Sequence, residues 1–196
     1  MKNKKTTPVI GLLLHSAKGF YDVGFNCAYN LNKDNEISGF QRISAGAVNM
    51  SFAAELFLKA IHLIVKNEAI RGHELLELFN DLPQNSKTDI EKRFNSHLRN
   101  NNEAKLLPSY KLVVSGPNEK TNQDNSDNIN IDLLEFLTKH NLTFQNWRYM
   151  HEVKNTGYSY DADFKTMDCF LKSLIDFINY NQKKTDLILN KNKKHN

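Results

Sequence analysis

Residues 45–79 read AGAVNMSFAAELFLKAIHLIVKNEAIRGHELLELF. Met50, Ala53, Phe57, Ala60 and Ile64 recur three or four apart, with Leu56, Ile61 and Leu63 beside them. That spacing predicts one long helix with a broad buried stripe. Glu55, Lys59, His62 and Lys66 fall on another side of it. Glu55 precedes Lys59 by four residues, the favourable order for an ion pair along a helix surface. Gly72 is expected to end the helix, because glycine accepts the left-handed backbone of a C-cap. His73 and Glu74 then open a shorter helix whose apolar side is Leu75, Leu76, Leu78 and Phe79.

The rest of the chain must pack around this centre. Its 196 residues suit one domain able to bury a core without disulfides or a metal. Apolar residues at 40% and charged residues at 24% fit a soluble globular protein. The net charge of +4 permits contact with nucleic acid without requiring it. Much of the surplus sits at the ends, at Lys2, Lys4, Lys5, Lys183, Lys184, Lys191, Lys193 and Lys194. Residues 183–196 read as a fraying basic tail and residues 1–182 as a single helical domain. Cys27 and Cys169 form no CxxC pair, so zinc-knuckle and thioredoxin-type sites are excluded, and no cofactor is implied. The apolar run Val9 to Leu14 is too short for a signal peptide or a membrane span. A cytoplasmic protein without membrane segments is expected.

Taken in order, a first helix is predicted from about Pro8 to Leu31, weakened by Gly11, Gly19 and Gly24 unless those glycines let another helix approach closely. Asn32 to Asn35 is a turn cluster, and a short segment near Ile37 to Ile43 leads to the central helix, with Ser44 as N-cap. Ser86 is expected to cap a helix over Lys87 to Asn100. Tyr110 to Val114 is β-prone but has no evident sheet partner. Ser115 to Asn130 is polar and turn-rich, and reads as a long mobile loop. Helices follow over Ile131 to His140, around Leu142 to His151, and from about Asp161 onward. The fold class is therefore all-α, an up-and-down bundle of about five main helices with one long polar loop.

The chain has no Walker loop, GxGxxG, HExxH or GxSxG. The segments AAELFLKAI and GHELLELF, with WRYMHE at Trp147 to Glu152, resemble the HEPN superfamily of small helical bundles over roughly Ala45 to Phe177. The resemblance implies a dimeric, RNA- or nucleotide-associated protein of a prokaryotic stress, defence or toxin–antitoxin system. A nucleotidyltransferase or an antitoxin is the partner it implies. Nuclease members of that superfamily carry an Arg and a His four to six residues apart in between. Here two residues separate Arg148 from His151, and three separate Arg93 from His97. The expectation is thus a non-catalytic interaction module.

Two alternatives stay open. Arg148 and His151, three apart and on one face if helical, suit metal-independent RNA cleavage. The imidazole would move protons and the guanidinium would stabilise the phosphorane charge. Alternatively, Glu55, Lys59 and Arg148 line a small-molecule or nucleotide pocket between helices. Trp147 and Tyr149 offer rings for packing or for stacking a base. His73 completes the set of candidate substrate- or partner-binding residues, as an N-terminal turn residue or as an acid or base.

Overall fold

The computed structural model describes residues 6–31, 36–114, 131–148 and 158–193. They form α1 (Thr6–Tyr29), α2 (Glu36–Lys66), α3 (Leu75–Asn80), α4 (Gln84–Asn100), β1 (Ser109–Val114), α5 (Leu133–His140), α6 (Thr143–Arg148), β2 (Tyr158–Asp163) and α7 (Phe164–Lys193). The architecture is an all-α bundle with one small antiparallel ribbon. α1 and α2 pack antiparallel: Phe20 meets Phe52 edge-on at 4.6 Å, while Gly24 faces Met50 and Gly46 faces Cys27. α7 then lies across α2, α4 and α1. Phe57, Leu58, Ile61, Phe94, Phe136, Phe164, Phe170 and Leu174 form the buried core between them.

The central helix holds its stripe, since Met50, Ala53, Phe57, Ala60 and Ile61 are all buried. Its bounds differ from the sequence reading. It starts at Glu36, so Ser44 lies inside the helix and not at its start. It ends at Lys66, where Asn67 takes the left-handed conformation (φ 57°) and returns its N–H to the Leu63 carbonyl at 3.2 Å. Asparagine tolerates this region better than other residues with a Cβ, so it ends the helix before Gly72 can. Gly72 does have a positive φ of 108°, but inside the connector to α3.

Other boundaries moved for similarly local reasons. α4 begins at Gln84 behind Pro83, whose fixed φ suits a helix start, and Ser86 is buried in the first turn. β1 does have a partner: Tyr110 pairs with Ala162 and Leu112 with Tyr160 in β2, which precedes the last helix. Asp163 links the ribbon to α7, accepting from Ser109 Oγ at 2.8 Å and from the Thr166 N–H at 3.1 Å. α7 continues to Lys193, where a frayed tail was expected from residue 183. The predicted turn at 32–35 and loop at 115–130 lie outside the described residues.

One buried polar cluster fastens the helices together. The Asp168 carboxylate on α7 accepts from Tyr21 Oη of α1 at 2.6 Å, from Asn101 Nδ2 at 2.9 Å and from Lys172 Nζ at 3.1 Å. Lys172 also reaches Glu103 at 2.9 Å. Burial, and then the Asp168 charge, hold the Tyr21 phenol far above its ordinary range. The same burial pushes the neighbouring Cys169 thiol up to about 11, which makes it an inert core residue.

Candidate functional site

Three of the residues singled out in the sequence meet at one place. Glu55, in the middle of α2, is not on the surface: its side chain is only 2% exposed. Its Oε1 accepts from Lys59 Nζ at 2.7 Å, one turn along the same helix. The same oxygen lies 3.0 Å from Nδ1 of His73 in the connector before α3. His73 itself is 56% exposed. A buried carboxylate thus holds two nitrogen donors, one from its own helix and one from a loop. Because a carboxylate can only accept, His73 donates from Nδ1, which leaves Nε2 for another partner.

The loop is held from the other side by Asn141, the residue after α5. Its Oδ1 accepts from the Leu76 N–H at 2.8 Å, and its Nδ2 donates to Glu74 at 2.8 Å. His73 therefore sits on a short connector pinned at α2 and at the α5–α6 corner. One turn before Glu55, Phe52 stacks on Phe144 of α6 at 5.0 Å, and Arg148 lies over the other partner of that stack, 5.7 Å from the Phe144 ring. α6 and Arg148 are thereby placed against α2 at Phe52, about one turn from Glu55.

The remaining candidates divide. Trp147 is core, 3% exposed, with its indole N–H directed to the Asp161 carbonyl at 3.3 Å. That rules out a stacking platform for a base. Tyr149 and His151 lie outside the described residues. His62, expected on an outer side of α2, is buried and donates from Nε2 to the Leu78 carbonyl at 2.8 Å. Arg93 forks onto Asp89 at 3.1 Å and lies over Tyr180, while His97 pairs with Asp176 at 2.8 Å. Both side chains, a quarter exposed, reach across from α4 to α7.

The residue that sequence reading passed over is His140, at the end of α5. It is buried, with Nδ1 3.2 Å from Thr143 Oγ1. Burial lowers its pKa to about 4, with Asp163 and Asp161 opposing and Lys139 assisting. Nothing in a lone histidine after LLEFLTK distinguishes it from the six others. Among the described residues, no group of three or more His, Cys, Asp or Glu is arranged to hold a metal ion. Comparison of the chain with models of protein families, with curated proteins and with solved structures gives no match.

Proposed function

We propose that the chain is a HEPN-like, RNA- or nucleotide-associated interaction module of a prokaryotic stress, defence or toxin–antitoxin system. It acts as a homodimer, or with a nucleotidyltransferase or antitoxin, and meets its ligand at Glu55, Lys59 and His73. The observation that carries the ligand site is the shared Glu55 oxygen, which holds Lys59 Nζ and His73 Nδ1 side by side. Lys59 commits one of its three N–H groups to Glu55 and keeps two for an anionic oxygen. His73 Nε2 accepts from a ribose hydroxyl when neutral and donates to phosphate when protonated. Phosphate, ribose and base edges need such a mixture of donors and acceptors. The helical bundle, with AAELFLKAI in its central helix and GHELLELF leading into α3, is the frame the HEPN resemblance implies.

The test is binding of labelled single-stranded RNA and of ATP by the full chain, followed by fluorescence anisotropy. Wild type is compared with Lys59→Met and His73→Ala, each first shown folded by circular dichroism. Loss of one charge-assisted hydrogen bond predicts a drop of about tenfold or more in affinity for each variant. Absence of binding by wild type, or equal affinity in the folded variants, overturns the reading. The same RNA incubated in EDTA with wild type, Arg148→Ala and His151→Ala separates a binding module from a metal-independent ribonuclease. The ribonuclease requires cleavage that falls by about two orders of magnitude in the variants.

A further inference from the structure

A small cavity lies where α2, the α5–α6 corner, β2 and the start of α7 meet. Its volume is about 10 Å3. Ser51, His140, Thr143, Asp161 and Phe164 are among the residues lining it. Two polar atoms of this lining are buried without any hydrogen-bond partner in the protein, Ser51 Oγ and His140 Nε2. Ser51 is 1% exposed and His140 is 2% exposed. A serine within a helix has an easy alternative, a bond back to the carbonyl four residues earlier, and Ser51 does not make it. Buried hydroxyls and imidazoles are seldom left unpaired, and here two are gathered on one cavity.

We propose that this cavity holds one internal water molecule, hydrogen-bonded to Ser51 Oγ and His140 Nε2, as a fixed part of the fold. A cavity of this size accepts about one water, and a buried water needs two or more polar partners. Water alone satisfies a hydroxyl and a neutral imidazole whichever of them donates, and the depressed pKa of His140 keeps that ring neutral near pH 7. An apolar occupant leaves both atoms unpaired. The bridge ties α2 to the last residue of α5, next to Asn141, which fixes the connector carrying His73.

The test is a crystal structure of the full chain, wild type and Ser51→Ala, paired with water–protein NOE measurements in solution. The expected wild-type result is a density peak within hydrogen-bond distance of both atoms and an NOE from water to the His140 ring. In Ser51→Ala the peak and the NOE are lost. A wild-type cavity with neither peak nor NOE overturns the proposal. So does a peak that Ser51→Ala leaves unchanged in place and occupancy. If Ser51→Ala does not fold, the wild-type peak and NOE decide alone.

Discussion

Gly24 and Gly19 stand five residues apart on α1 and have opposite roles. A Cβ on Gly24 would come within 2.5 Å of Met50 Cγ and 2.9 Å of the Met50 backbone nitrogen. Backbone cannot yield cheaply, so Gly24→Ala is expected to lose about 1–2 kcal/mol net of its gain in helix propensity. A Cβ on Gly19 meets nothing within 4 Å, and Gly19→Ala is expected to gain about 0.5–1 kcal/mol. Urea denaturation of the two variants checks both signs. His140 makes the second residue-scale prediction. Its pKa falls from the ordinary 6.5 to about 4 on folding, so the unfolded chain binds the proton more readily. Its stabilising share is complete above pH 6.5 and is lost as pH falls toward 4. The loss is about 2–3 kcal/mol by pH 4.5. Denaturation midpoints should fall over this window in wild type and fall less in His140→Gln. Neither effect is visible in a string of letters: glycines 19 and 24 look alike, and seven histidines offer no sign of which is buried.

At the scale of elements, Asp168 joins α7 to α1 and to the end of α4 through three donors. Asp168→Ala leaves the buried Tyr21 phenol and the Asn101 amide without their acceptor, while Lys172 keeps Glu103, so a loss of about 3–5 kcal/mol is expected. Tyr21→Phe removes a single bond to a charged acceptor and should cost about 1.5–3 kcal/mol. Equal losses in the two, measured by chemical denaturation, would contradict a shared hub. The long helices were legible because 3.6-residue periodicity repeats over many turns, as Met50 to Ile64 shows. Their ends were not. Asn67 stops α2 through a conformation that glycine usually supplies, and Pro83 starts α4 where Ser86 looked the better cap. The ribbon was missed because Tyr110 to Val114 pairs with a segment almost fifty residues later, and long-range pairing leaves no local pattern.

For the whole molecule, the all-α class followed from the absence of alternating strands and from three long apolar stripes. α2 between Gln41 and Lys66 is long and apolar enough to cross a membrane, yet 56% of its apolar window is buried inside the bundle. It is also the helix against which α1, α6 and α7 pack. The candidate site was legible in part. The four-residue step from Glu55 to Lys59 is local and readable; the arrival of His73 eighteen residues later, at a buried carboxylate, depends on how the α2–α3 connector folds back. The central claim is that this gathering of Lys59 and His73 exists to contact a nucleotide or RNA. It is tested most directly by NMR titration of the full chain with ATP and with a short single-stranded RNA, following the backbone amides and the histidine ring signals. The expected result is that the His73 ring, Lys59 and the Glu74 to Leu76 amides shift first and saturate together, while the His97 and His62 rings stay still. Shifts confined to the basic ends of the chain, or none at all, would contradict it.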